Sequence, residues 1–140
     1  MYSSDNDIEA IARGLIDHTL PKPEWTHGAH FAAAVWLIQS PDHDAERDMP
    51  GLIRAYNEAC GVANTDTEGY HETITKASIR AAAHCMSQNP TRGLAEATNT
   101  VLRSGFGKAD WILAYWTRER LFSVEARRNW VAPDRQNLPF

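Results

Sequence analysis

The sequence predicts an all-α protein, a compact single domain over residues 1–140 built as a bundle of about six to seven helices. Three observations predict it. Apolar residues recur at i, i+3, i+4 spacing in one segment after another. Asp, Ser, Thr, Pro and Gly punctuate the gaps between those segments. No stretch shows the period of two that marks a half-buried strand. A chain of 140 residues can bury a core without disulfide or metal staples, and its 43% hydrophobic and 23% charged residues are ordinary for a globular domain.

The elements follow in order. Asp5 or Asp7 caps a first helix carrying Ile8, Ile11, Ala12, Leu15 and Ile16, and Pro21 and Pro23 end it. Thr26 caps a second, with Phe31, Ala34, Val35 and Ile38, that stops near Ser40-Pro41. The acidic segment 42–48 reads as a loop or ragged helix start. Pro50 suits the first turn of a third helix bearing Leu52, Ile53, Tyr56 and Cys60, and Gly61 suits its stop. Asn64, Asp66 and Thr67 then satisfy backbone donors ahead of a fourth helix from Tyr70 to about Ser87. Asn89-Pro90-Thr91 restarts the chain into a fifth with Leu94, Ala97, Val101 and Leu102, closed by Gly105. Asp110 caps an aromatic sixth helix through Trp116, and Ser123 starts a short last one that Pro133 ends. The tail Leu138-Pro139-Phe140 is apolar enough to pack back on the body.

Composition narrows the function classes. The longest apolar run, Phe31 to Ile38, is far short of the about 20 residues a bilayer crossing needs. The first residues lack the basic start and apolar core of a signal peptide. The expectation is a cytoplasmic protein with no membrane partner. Cys60 and Cys85, without CxxC spacing, read as buried thiols. Net charge is −4, but residues 1–70 carry −8 and residues 71–140 carry +4. Nucleic-acid binding is disfavoured, because neither an overall basic charge nor a known module is present. The basic half, with Arg118, Arg120, Arg127 and Arg128, reads as a solvated face, an anion-binding patch, or a surface that meets the acidic half of a second copy in a homodimer.

The candidate site comes from histidine placement. On the second helix His27, His30, Phe31, Ala34, Val35 and Ile38 share one face; on the fourth, His71, Ile74, Thr75, Ser78, Ala82 and Cys85 do. Histidines thus stand at the N-terminal ends of two stripes that periodicity turns toward the core. A helix N-terminus disfavours imidazolium, and neutral imidazole is the form that binds metal or acts as a base. His27, His30 and His71 can therefore hold one divalent metal, zinc, nickel or iron, with an open position for water or substrate. Glu24, Glu72 and Asp66 are near enough in sequence to act as a fourth ligand, an orienting group or a base, with Glu72 the expected catalytic carboxylate, and Trp25, Thr26, Tyr70 and Thr75 are the ligand-contacting shell. Two other readings stay open: a metal-free pocket for a small organic ligand, and a structural network of His27, His30, His71 and Thr75. Asn64-x-Asp66-x-Glu68-Gly69 has the look of a calcium loop, but its twelfth position is Thr75 rather than glutamate. Ser104-Gly105-Phe106-Gly107-Lys108 reads as a helix stop, not a phosphate loop. The five tryptophans read mainly as core, a few of them able to line a pocket.

Trp25-Thr26-His27-x-x-His30 with Gly69-Tyr70-His71-Glu72-Thr73-Ile74-Thr75 resembles a pattern of small bacterial all-helical proteins that have no established activity. Tyr56-Asn57-Glu58, Asn64-Thr65-Asp66-Thr67 and Phe122-Ser123-x-Glu125-Ala126-Arg127 extend the resemblance over most of the chain from about Leu20. It supports the choice of site residues and implies no reaction. Three histidines in a helical bundle also resemble metal-binding proteins of the DinB type. Those expect a His-x-x-x-His pair late in the chain, which this sequence lacks, so their roles are not carried over.

Overall fold

The computed structural model describes residues 1–90 and 93–140 and is all-helical. Its seven α-helices are α1 (Asp5–Asp17), α2 (His27–Gln39), α3 (Ala45–Ala59), α4 (Glu72–Gln88), α5 (Leu94–Arg103), α6 (Arg118–Leu121) and α7 (Val124–Arg128). Single 3-10 turns lie at Lys22–Glu24, Gly105–Gly107 and Trp111–Ala114, and no strand occurs among the described residues. Thr91, part of the expected restart before α5, lies outside them. No helix of the described residues is long and apolar enough to cross a membrane.

Helix α2 is the centre, and its composition explains why. His27 to Gln39 is apolar almost all round, and such a helix is stable only when neighbours cover every side. Ala29, the run Phe31 to Val35, and Leu37 are buried, and α1, α3, α4 and α5 all pack against it. The one-sided stripe read from the sequence is too narrow for this helix. On α4 the correction runs the other way. Thr73, Ala77 and Ala81 face the core at no more than 0% exposure, whereas Ile74, Thr75 and Ser78 of the expected core stripe are only half-buried.

Several boundaries follow the local chemistry. Thr26 caps α2 through Ala29 N–H at 3.2 Å, Ser123 caps α7 through Ala126 N–H at 3.1 Å, and Gly61 leaves α3 at φ +80°. Others differ from expectation. Ser4, not an aspartate, precedes α1, and Asp7 reaches back to the Ser4 N–H at 3.2 Å. His18, at φ 62°, ends that helix before either proline. Asp44 caps α3 at Ala45, so Pro50 sits in the helix interior. Proline cannot donate to the Glu46 carbonyl one turn back; Lys76 Nζ of α4 donates to it instead at 2.6 Å. α7 ends at Arg128, ahead of Pro133.

The expected sixth helix is broken in two by the C-terminal tail. Arg135 donates to the Leu113 carbonyl at 2.6 Å and Gln136 to that of Ala114 at 3.0 Å. Thr117 gives both its N–H and its hydroxyl to the Asp134 carboxylate at 2.7 Å. Carbonyls that a continuous helix would use internally are taken from outside, and a 3-10 turn followed by the short α6 results. The tail then packs as expected: Phe140 lies against His84 and Phe106, with ring centroids 5.4 and 6.1 Å away.

Candidate functional site

Two concave chambers meet back to back between α2 and α4. One, about 420 Å³, is walled by His27, His30, Phe31, Asp110, Trp111, Ile112, Arg118 and Phe122. The other, about 380 Å³, is walled by Lys22, Trp25, Met49, Ile53, Asn57, Tyr70, His71 and Thr75. His30, Ile74 and Ser78 line both, so these three side chains form the partition. The surroundings are mostly apolar, with one cation in each lining, Arg118 and Lys22.

His30 is fixed from two sides. Its Nδ1 bonds the Thr26 carbonyl at 2.8 Å; a carbonyl only accepts, so Nδ1 carries the proton. Trp25 stacks on the ring at 3.8 Å between centroids. Burial is the first cause that pulls its pKa down to about 4, with His27 adding a smaller push the same way and the Thr26 bond opposing. Nε2 is therefore an unprotonated acceptor at neutral pH, and no described residue bonds it. The Ser78 hydroxyl likewise has no hydrogen bond to the described residues. The half-exposed surface of His30 is consistent with this burial, since a side chain facing a cavity is surrounded by protein yet touches open space.

The other candidates separate. His27 lines only the first chamber, where its Nε2–H donates to the Phe106 carbonyl at 2.9 Å. His71, 7% exposed, is the N-cap of α4 rather than a member of its face. Its Nδ1 accepts from Ile74 N–H at 3.1 Å, and its Nε2–H donates to the Leu121 carbonyl at 2.7 Å. Burial lowers its pKa, with nearby Arg127 adding to the effect. Both ring nitrogens are committed, so His71 offers no lone pair to a metal in this arrangement. Among the described residues no group of three or more His, Cys, Asp or Glu could hold a metal ion. The ligand set His27, His30 and His71 is thus not assembled; the helix ends bring these residues to one region but point them at different carbonyls.

Glu72 lies outside both linings and accepts the Tyr70 hydroxyl at 2.5 Å, so it positions Tyr70 instead of facing a ligand. Burial first, and then this carboxylate, raise the Tyr70 pKa. Thr26 is also outside the linings and serves as cap and carbonyl partner. Trp25, Tyr70 and Thr75 do line the second chamber. The sequence places Ser78 on the α4 stripe but does not single it out as a site residue, although a serine one turn beyond Ile74 among apolar neighbours is a visible signal. It had no way to place Trp111, Arg118 or Phe122 opposite α2. Comparison with protein-family models, with curated proteins and with solved structures finds no match to this chain.

Proposed function

We propose that the chambers form a binding site for a small, flat, largely apolar molecule whose hydrogen-bond donor meets His30 Nε2. The observation that carries this reading is the partition itself: an unprotonated imidazole acceptor without a partner among the described residues, held between apolar walls and beside a hydroxyl of the same kind. Concave apolar sites with a few convergent polar groups are where small ligands bind. An imidazole with a pKa near 4 is a weak base at neutral pH but a good acceptor. The balance therefore favours binding over proton-transfer chemistry.

A divalent metal, zinc, nickel or iron, finds narrower support in the same place. Of the ring nitrogens of His27, His30 and His71, His27 Nδ1 and His30 Nε2 are those without a partner among the described residues, and the remaining positions would fall to water or ligand. The unpaired Cys60 and Cys85 fit a reducing compartment such as the cytoplasm.

Indole is a suitable probe because it is flat, apolar and has one N–H donor. In solution it should bind the wild type more tightly than benzothiophene, which has the shape without the donor. His30→Leu should erase that preference while leaving the protein folded. No indole binding, or a preference that survives His30→Leu, would overturn the reading. Zinc added in parallel should leave indole affinity unchanged unless the metal occupies His30.

A further inference from the structure

We propose a second, separate site beside α3: an oxyanion site that takes the phosphate or carboxylate group of a small molecule. It is a basin of about 230 Å³ walled by Arg54, Arg127, Arg128, Asn64, Thr65 and Asp66. Tyr70 borders both this basin and the second chamber, so its ring stands between them.

Three guanidinium groups and one carboxylate line the basin, an excess of two positive charges. Arg128 and Asp66 neutralise each other through two bonds of 2.6 Å, and the arginine holds the Asp66 carboxyl below its usual range. Arg54 and Arg127 have no carboxylate partner among the described residues. The Arg54 guanidinium lies 4.2 Å over the Tyr70 ring. Stacking occupies its face and leaves its edge N–H donors for an anion. Arg127 is anchored by one terminal nitrogen on the carbonyls of Gly69 and Tyr70, at 3.1 and 3.4 Å. Its other donors remain. Paired guanidinium edges match the geometry of phosphate and carboxylate oxygens.

The platform beneath is rigid. Asn64 donates to the Arg54 carbonyl and accepts from Asn57 and from Tyr70 N–H, each at 3.0 Å. Gly69 closes the loop at φ +81°, where a Cβ would meet the Ala63 carbonyl at 2.3 Å. Arg54 of α3 and Arg127 of α7, neither paired with a carboxylate among the described residues, therefore both line this basin over a fixed floor. Neither half of the chain supplies the site alone, which is why a patch sought only in the basic half names Arg127 and Arg128 but omits Arg54.

The test is calorimetric titration with inorganic phosphate and, separately, succinate at about 0.01 M ionic strength, where the Debye length is about 30 Å. The structure leads us to expect saturable binding of at least one, with phosphate preference indicating a phosphorylated ligand and succinate preference a carboxylic acid. Arg54→Gln should weaken binding about tenfold, the scale of one charge-assisted contact. Arg103→Gln, an exposed control on α5, should change nothing. Side-chain Nε–H resonances of Arg54 and Arg127 in the wild type should shift with the same midpoint, a readout that needs no variant to fold. No binding of either anion, or equal weakening by both substitutions, would overturn the site.

Discussion

At the scale of single residues, His30 makes a claim on stability as well as on binding. Folded, its ring stays neutral down to about pH 4; in the unfolded chain it protonates near its ordinary 6.5. Between those values the unfolded state binds more protons, so stability rises with pH across the window. Read downward, it is fully present above about pH 6.5 and lost as pH falls toward 4. The loss at the acid end is on the order of 2–3 kcal/mol. His71, depressed in the same direction by its own burial, adds to the slope. Urea unfolding of His30→Gln beside the wild type isolates the His30 share, because the carboxylates that also titrate are common to both. The variant should show a shallower fall between pH 6.5 and 4. Identical slopes would mean that the ring is accessible enough to protonate in the folded protein.

At the scale of elements, what could be read from the sequence was whatever depends on a few neighbouring residues. Thr26, Ser123 and Gly61 mark helix ends because a side-chain oxygen reaches a backbone N–H three residues on, or because only glycine enters a positive φ cheaply. Some ends were missed although Ser4 with Asp7 and Asp44 mark them locally, and two further errors came where a distant segment supplied the partner. Pro50 looked like a first-turn proline because nothing near it in the sequence predicts that Lys76 will donate to the carbonyl it leaves orphaned inside the helix. The aromatic segment after Asp110 looked helical because the tail that captures its carbonyls lies 22 residues away. The proline case is open to a double-mutant cycle. Lys76→Met alone should cost about 1–2 kcal/mol, since a charged donor is lost from a half-buried carbonyl. In a Pro50→Ala background the restored N–H can donate to the same carbonyl, so Lys76→Met should cost about 0.5 kcal/mol less. Equal costs in the two backgrounds would show that Lys76 and Pro50 act independently.

At the scale of the whole molecule, the charge asymmetry of the sequence is partly spent within one chain. Glu46 pairs with Arg80 at 3.0 Å and Asp66 with Arg128 at 2.6 Å, each joining the acidic half to the basic half. The site was legible in the same partial way: periodicity found His30 and its stripe, but the facing wall of Trp111, Arg118 and Phe122 depends on how the chain returns. The N-terminus shows how far that return reaches. Tyr2 exchanges two backbone bonds with the Asn99 side chain, at 2.9 and 2.8 Å, and Asp5 accepts the Ala95 N–H at 2.9 Å. The N-cap position of α5 is Gly93, which has no side chain to cap with. A Cβ there would stand 3.2 Å from the Asp5 carboxylate, so the glycine makes room for a cap supplied from the other end of the chain. Asp5→Ala should then cost about 1 kcal/mol as a lost helix cap, and Asn99→Ala about 1–3 kcal/mol as two backbone groups lose their partner. If the first residues form one clasp, the double variant should cost less than the two single costs added, because releasing either anchor already frees the segment. Urea midpoints of the four proteins decide it, and strict additivity would show that the two anchors hold separately.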